Sequence, residues 1–248
     1  LTGGARVPRF FLPRQALSAS DVSLTGGQAA HVKVLRLRPG DRVTVCDGQG
    51  LDYPGVLLET GPQVRLSLEP PVPCAAEPRL QVRVWMAYAK ADKLEHVIQK
   101  ATELGACEII AFPSARCVSR PDAASLPKKL VRWQRIADAA AEQCGRGRIP
   151  RVRALDSFPD AVAEAVQSPL AVFLYEKEVR TSLRGVIPPG LTAASLMTGP
   201  EGGFTPEEAR TAQDAGMLAC TLGPRILRCE TAPLCALSAL MFACGELD

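Results

Sequence analysis

Two glycine-containing stretches near the C-terminus decide the fold class: residues 196–205, LMTGPEGGFT, and residues 222–232, LGPRILRCETA. Each stretch begins where an apolar run ends, and that run predicts a buried strand. Each stretch then passes into a predicted helix. Glycine has no Cβ, so a ligand can approach main-chain N–H and C=O groups closely. Ligands of open α/β sheets bind beyond the carboxyl ends of the strands, so the two loops predict one pocket with backbone walls.

Charged residues interrupt the second stretch. Arg225, Arg228 and Glu230 stand among small and aliphatic residues. Charged groups in apolar surroundings are costly unless they are paired or used in chemistry. The residues alone leave both interpretations open: an ion pair that fixes the loop to the following helix, or a functional site.

Strands and helices alternate from residue 80 onward, which predicts a mostly parallel α/β sheet. The predicted strands lie at 80–87, 108–112, near 152, and at 170–175, 193–197 and 218–222. The predicted helices run from a cap at Asp92 to Gly105, from Pro127 to about Gln143, and from the N-cap residue Thr205. Pro206 and Glu208 strengthen the last prediction, because they match the first turn and the capping box of a helix.

The N-terminal third is predicted to be a small β domain. Short apolar runs at 42–46 and 64–68 are separated by turn dipeptides, which favours a barrel or sandwich. The proline-rich segment 69–78, EPPVPCAAEP, predicts a stiff linker. We therefore expect a β domain over residues 1–72 and an α/β domain over residues 73–248. The glycines of 47–50, DGQG, are expected to form a hairpin turn, not a nucleotide-binding loop, because no helix follows.

Composition excludes several classes of protein. Nine cysteines without CxxC spacing fit neither a disulfide framework nor a zinc site, and predict a reducing, cytoplasmic compartment. Two histidines are too few for a histidine metal cluster or a convincing Ser-His-Asp triad, so no metal is expected. The net charge of +3 does not by itself indicate nucleic acid. The first ten residues, LTGGARVPRF, lack the apolar core of a signal peptide, and no stretch is long and apolar enough to span a bilayer.

The motifs together resemble one enzyme family through nearly the whole chain. They include Arg9-Phe10-Phe11, Thr102-Glu103-Leu104-Gly105, 199–204 (GPEGGF), 225–228 (RILR) and 230–232 (ETA). The chain resembles the bacterial 16S ribosomal RNA methyltransferases that methylate N3 of a decoding-site uridine, which are S-adenosylmethionine-dependent members of the SPOUT superfamily. The resemblance implies an N-terminal PUA-like β-barrel domain, a C-terminal α/β domain with a trefoil knot, and a homodimer.

The resemblance also implies residue roles. Arg228 is expected to be catalytic, by stabilising negative charge on uracil O2 and O4. Residues expected to bind S-adenosylmethionine are Glu176, Thr198, Gly199, Pro200, Glu201, Gly202, Gly203, Leu222, Gly223, Ile226, Leu227, Thr231 and Ala232. Residues expected to bind 16S rRNA, within the 30S subunit, are Arg9, His31, Arg36, Lys93, Lys100, Arg116, Gln143 and Arg146.

Three alternatives accompany these roles. Glu201 and Glu230 are either general bases or anchors of their loops, and the anchor role is favoured. Cys229 is expected to be a packing residue, because N3 methylation needs no covalent adduct. Two other functions are open for the whole chain. One is a SPOUT methyltransferase that acts on transfer RNA or on another ribosomal nucleotide. The other is a non-catalytic RNA-binding assembly factor, although the intact donor loops speak against it.

Overall fold

The computed structural model describes residues 7–90 and 92–247. The signal-peptide expectation falls mostly on residues 1–6, which lie outside the described residues. The chain divides into two compact units. The first comprises the chain up to Glu77 together with Ala141–Ile149, and the second comprises Pro78–Ala140 and the chain from Pro150 onward.

Within the described residues, the first unit contains a curled six-stranded sheet and a nine-residue α-helix, together with the end of a second helix. Its elements are β1 (Arg9–Phe11), β2 (Asp21–Leu24), α1 (Gly26–Val34), β3 (Arg42–Cys46), β4 (Leu51–Glu59), β5 (Val64–Leu68) and β6 (Val72–Pro73). The strand order is β1-β3-β4-β5-β2, with β6 paired to β4; β1 runs parallel to β3 and the other pairs are antiparallel. Phe10, Leu24, Val45, Leu57 and Leu66 are fully buried in the core. The predicted strands at 42–46 and 64–68 are therefore confirmed.

The DGQG segment is the predicted hairpin turn between β3 and β4. Asp47 Oδ1 accepts hydrogen bonds from the N–H groups of Gln49 at 2.8 Å and Leu51 at 3.0 Å. Gly48 and Gly50 adopt φ values of 71° and 105°, which L-residues with a Cβ rarely take. The glycines serve the turn and are not part of a nucleotide-binding loop.

A buried ion pair holds residues 141–149 in the first unit, although the sequence predicts them in the second domain. Arg146 is 3% exposed, and its Nη2 lies 2.9 Å from Glu77 Oε2. Glu77 Oε1 also accepts the N–H groups of Gly147 and Arg148, each at 2.9 Å. The Glu77 carboxylate thus orders this segment by binding the side chain of Arg146 and the backbone N–H groups of the two residues that follow.

The second unit is a six-stranded sheet in which every neighbouring pair is parallel, as predicted. Its elements are β7 (Gln81–Ala87), α2 (Lys93–Glu103), β8 (Glu108–Phe112), α3 (Leu126–Cys144), β9 (Arg151–Ala154), α4 (Phe158–Ala165), β10 (Leu170–Leu174), β11 (Ala193–Thr198), α5 (Pro206–Asp214), β12 (Leu218–Cys220) and α6 (Ala232–Ala243). The order is β12-β10-β11-β7-β8-β9. The last residues of α3, from Ala141, belong to the first unit.

Strand β7 lies inside the sheet and is buried on both faces. Val82, Val84 and Met86 contribute to one apolar core, and Trp85 and Ala87 contribute to the other. Burial on both faces explains why residues 84–87 are continuously apolar, whereas Gln81 and Arg83 alternate with valines at the start of the strand.

A predicted strand end and a predicted helix cap differ from the structure. Strand β12 ends at Cys220, two residues early, because the N–H of Thr221 donates to Thr181 O at 2.9 Å. Asp92 holds the N-cap position of α2 but makes no side-chain cap hydrogen bond, because its own backbone is already helical. Among the described residues, no helix is long and apolar enough to cross a membrane.

Helix α5 begins with the capping box that the sequence predicts. Thr205 Oγ1 accepts the N–H of Glu208 at 3.1 Å, and Glu208 Oε2 accepts the N–H of Thr205 at 2.9 Å. Glu208 Oε1 also accepts the N–H of Ala115 at 2.8 Å, so the cap ties the loop after β8 to the start of α5.

We expect Thr205→Ala to lower the free energy of unfolding by about 1 kcal/mol, because the N–H of Glu208 loses its acceptor. Urea denaturation followed by circular dichroism measures this change. Thr205→Ser keeps the hydroxyl and is the control. Equal stability of the alanine and serine variants would contradict a stabilising cap.

Candidate active site

A cavity of about 660 Å³ lies at the carboxyl ends of β10, β11 and β12, where the sequence predicts it. It is within the size range of small-molecule sites. Of the residues expected to bind the methyl donor, all except Thr231 line it: Glu176, Thr198, Gly199, Pro200, Glu201, Gly202, Gly203, Leu222, Gly223, Ile226, Leu227 and Ala232. The structure therefore brings both glycine-containing loops into one site.

The first loop, residues 199–204, packs closely upon itself and upon Glu176. The N–H of Gly203 donates to Pro200 O at 2.9 Å, and Gly203 has a φ of 67°. A Cβ on Gly203 would lie 2.8 Å from Glu176 Oε1, and a Cβ on Gly199 would lie 3.2 Å from the carbonyl carbon of Gly203. Glycine is thus required here by both conformation and close approach.

Arg116 braces the same loop from outside. Its Nη1 donates to Gly202 O at 2.8 Å and to Phe204 O at 3.3 Å. A Cβ on Gly202 would lie 3.0 Å from the Cβ of Arg116. The residue was expected to bind RNA, but its observed partners are loop carbonyls.

The second loop, residues 222–231, presents main-chain groups to the cavity. Gly223 has a φ of 104°, and its N–H donates to Thr221 Oγ1 at 3.2 Å. Within 7–90 and 92–247, the N–H groups of Leu222, Ile226 and Leu227 donate to no protein acceptor. The loop closes where Arg228 O accepts the N–H groups of Thr231 and Ala232, each at 2.9 Å, at the start of α6.

Lys93, at the first turn of α2, lies between the two loops. Its Nζ is 3.3 Å from Glu201 Oε1 in the first loop and 3.3 Å from Glu230 Oε2 in the second. Glu201 Oε1 also accepts the N–H of Lys90 at 3.0 Å. These contacts support the anchor role expected for both glutamates, with a lysine as the partner. Lys93, expected to bind RNA, is instead occupied by two carboxylates.

The Cys229 thiol is held in its protonated form. Burial, followed by a hydrogen bond to Glu230, raises the pKa of Cys229 to about 12. Its Sγ lies 3.3 Å from Glu230 Oε2 and the residue as a whole is 9% exposed. The thiolate is the reactive form of cysteine, so this environment favours the packing role.

Arg228 is exposed at the cavity and free to meet a second substrate. Among the described residues, no carboxylate lies within ion-pair distance of its guanidinium. The ion pair that fixes this loop is formed by Glu230 with Lys93, not by Arg225 or Arg228. Ile226, also on this loop, is 85% exposed although it lines the cavity.

The remaining residues expected to bind RNA fall into two groups. Arg9 and Arg146 lie in the first unit as partners of carboxylates: Arg9 forms two hydrogen bonds to Asp52, at 2.8 and 2.5 Å, and its side chain is 15% exposed. Lys100 pairs with Glu103 one turn away. His31, Arg36 and Gln143 are exposed.

Two features of the site lack a clear sequence signal. They are the clamp by Lys93 and the brace by Arg116, each of which joins residues more than 80 positions apart. Glu201 and Glu230 lie in neighbouring predicted loops. If neither carboxylate pairs with a basic residue of its own loop, the expected partner is a cation from a third element.

Two protein-family models and several known proteins are similar to this chain. A model of the RNA methyltransferase domain matches residues 76–241, and a model of the RNA methyltransferase PUA domain matches residues 24–67. The ribosomal RNA small subunit methyltransferase E of Bacillus subtilis is 35% identical over 94% of this chain and 96% of its own length. The chain belongs to the ribosomal RNA small subunit methyltransferase E family.

Other relatives agree with this assignment. The methyltransferase E of Mycobacterium bovis is 35% identical over 87% of this chain and 82% of its own length. A crystal structure of the methyltransferase E of Neisseria gonorrhoeae, bound to S-adenosylmethionine, has a TM-score of 0.85 and 31% identity over 95% of this chain and 97% of that chain. The expected family, PUA-like domain, enzyme class and cofactor are thereby confirmed.

The cavity fits S-adenosylmethionine on its own geometry. Three unpaired N–H groups on the second loop can bind the acceptor atoms of an adenine edge or a carboxylate. Glu176, beside Gly203, supplies an acceptor for hydroxyl or ammonium groups. A methyltransferase E needs such directional contacts because the donor must be held in one orientation relative to the acceptor.

We expect Gly203→Ala to weaken binding of S-adenosylmethionine about tenfold, which corresponds to about 1.4 kcal/mol. The added Cβ would displace the Glu176 carboxylate, which is the mobile end of its side chain. Isothermal titration calorimetry measures the affinity.

Gly216→Ala is the matched control. Gly216 has a φ of 102°, so it carries the same kind of backbone strain, but a Cβ there meets nothing within 4 Å. Equal affinities of the two variants would show that the contact with Glu176 is irrelevant to donor binding.

Proposed function

We propose that this protein transfers a methyl group from S-adenosylmethionine to N3 of a uridine in the decoding region of 16S rRNA, within the 30S subunit. The observation that carries the proposal is the guanidinium of Arg228, which is exposed at the cavity that fits the donor and has no ion-pair partner among the described residues. The methyltransferase E relatives support the choice of small-subunit ribosomal RNA.

The residues of the cavity act by orientation. S-adenosylmethionine supplies an electrophilic methyl group on its sulfonium sulfur. The loops that contain Gly199 and Leu222 hold the donor, and positioning of this kind contributes up to about 7–11 kcal/mol of barrier lowering in ideal cases.

Arg228 stabilises the charge that develops on the uracil. As N3 loses its proton, negative charge spreads onto O2 and O4, and the guanidinium donates hydrogen bonds to one of these oxygens. Guanidinium stays protonated in proteins, so Arg228 is not the base.

Neither loop glutamate is a suited base. Burial alone raises the pKa of Glu201, but hydrogen bonds from the N–H of Lys90 and from Lys93 outweigh it and hold that pKa below its ordinary value. Glu230 behaves in the same way, with Cys229 and Lys93 as its side-chain partners. Carboxylates of lowered pKa are weak proton acceptors, so we assign the N3 proton to water or to a group of the RNA.

We expect Arg228→Ala to lower turnover about 10²- to 10³-fold, the usual cost of removing one such donor. Donor affinity should change less than about threefold, since the loop backbone remains. Transfer of labelled methyl to 30S subunits from cells that lack this modification, followed by nucleoside analysis, measures the rate and the product. Arg225→Ala, on the same loop, is the control.

The same assay separates the alternatives. A 3-methyluridine product on 30S subunits supports the proposal, whereas a product on transfer RNA or at another ribosomal nucleotide supports a different target. Normal turnover of a folded Arg228→Ala would remove that residue from the mechanism. Donor binding without transfer to any of these RNAs would favour a non-catalytic role.

We expect Cys229→Ser to retain turnover within about threefold, because a buried, protonated thiol is not the nucleophile. The serine hydroxyl can still donate to Glu230. Loss of all transfer in a variant with wild-type donor affinity would instead indicate a covalent mechanism.

The RNA surface and the assembly are also proposals. His31, Arg36 and Gln143 are the better candidates for RNA contacts because they are exposed, whereas the side chains of Arg9 and Arg146 are largely buried. A homodimer is supported by an apolar stripe on α6 that includes exposed Cys235 and Phe242, the latter 68% exposed. The trefoil knot, the cytoplasmic location and the domain boundary at 72/73 stay predictions.

A further inference from the structure

We propose that Lys93 is a positioning residue that sets the distance between the two donor loops by neutralising two facing carboxylates. This inference rests on the proposed function only in taking the cavity as the donor site. It concerns donor binding and assigns Lys93 no contact with RNA or with the transferred methyl group.

The geometry supports a bridge between loops. The Nζ of Lys93 is at 3.3 Å from a carboxylate oxygen of Glu201 and at 3.3 Å from one of Glu230. All three side chains are about three-quarters buried, with exposed fractions of 25%, 24% and 23%. Partly buried pairs are screened less by water and salt than surface pairs.

The bridge belongs to a third element. Lys93 lies on α2, which follows β7, while Glu201 follows β11 and Glu230 precedes α6. Glu201 is fixed a second time by the N–H of Lys90 at 3.0 Å, so the segment before α2 holds the first loop by backbone as well as by charge. In the second loop, Lys93 Nζ pairs with Glu230 and also donates to the thiol sulfur of Cys229 at 3.8 Å.

Charge balance gives Lys93 a role that an apolar side chain cannot replace. Without the ammonium, two carboxylates would face each other in a partly buried site, and like charges in such a site raise one pKa. Cys229, which is protonated, and Cys117, whose pKa burial also raises, lie near this centre, and the same cavity is lined by the charged side chains of Glu176, Glu178, Arg225 and Arg228. Arg116, which braces the first loop, points its Nη1 to carbonyls of that loop.

We therefore expect Lys93→Met to bind S-adenosylmethionine at least about tenfold more weakly than the wild type at pH 8.5. At pH 6 the difference should shrink to about threefold or less, because one carboxylate takes up a proton and the repulsion disappears. Calorimetric affinities are compared as the ratio of variant to wild type at each pH, which cancels titration of the donor itself.

A double variant tests the cause. Lys93→Met combined with Glu230→Gln removes one of the two charges at nearly constant volume, so affinity should return to within about threefold of the wild type and the ratio should not vary with pH. Lys128→Met, an exposed lysine of α3, is the charge-matched control and should leave donor affinity unchanged.

Three results would overturn the proposal. Tighter binding by Lys93→Met would show that only the net charge of the cavity matters, since the donor carries a cationic sulfonium. Weaker binding that neither varies with pH nor recovers in the double variant would show a purely steric role. Unchanged binding would show that the bridge is irrelevant.

A second variant tests the proposal if Lys93→Met does not fold. Glu201→Gln combined with Glu230→Gln keeps Lys93 but leaves its ammonium without a counter-charge in a partly buried site beside the cationic donor, so it should weaken donor binding at least about tenfold. A change below about threefold would overturn the bridge. Because these measurements contain no RNA, failure of uridine methylation would leave their outcome intact.

Discussion

The parallel pairing of β11 with β7 on one side and β10 on the other is the constraint on which the site depends. Thr198, the last residue of β11, stands opposite Met86 of β7 and Leu174 of β10. Since neighbouring strands run in one direction, the segments that follow them emerge at one edge of the sheet. The glycine loop after Thr198, the segment with Glu176, and the start of α2 therefore meet there.

Electrostatic pairing then determines how these segments are fixed. The first loop is rich in small residues and offers few side chains for apolar packing. The first loop is held by Arg116 on its carbonyls and by Glu201 on the N–H of Lys90, and the second by Glu230 on Lys93. Groups that are occupied in this way leave backbone N–H groups and Arg228 open to ligands.

Basic residues show what a sequence does not reveal about the partner of a charge. Arg9, Lys93, Arg116 and Arg146 all belong to family motifs and all suggest phosphate contacts. In the structure each has protein partners, and Arg146 is almost completely buried. A positive charge in a sequence does not reveal whether its partner is a carboxylate or a phosphate, because the partner is brought near only by folding.

The sequence by itself determined the local structure and the composition of the site. The apolar runs located the strands of both units, the Thr205 capping box began α5, and the 199–204 and 222–231 loops identified the cavity, because these signals act over a few residues. Tertiary structure decided the rest: the grouping of residues 141–149 with Glu77, the brace by Arg116, and the placement of Lys93 between two glutamates. Each of these contacts joins residues that are about 70 or more positions apart in the sequence. Such pairs come together only when the sheet and the helices have packed.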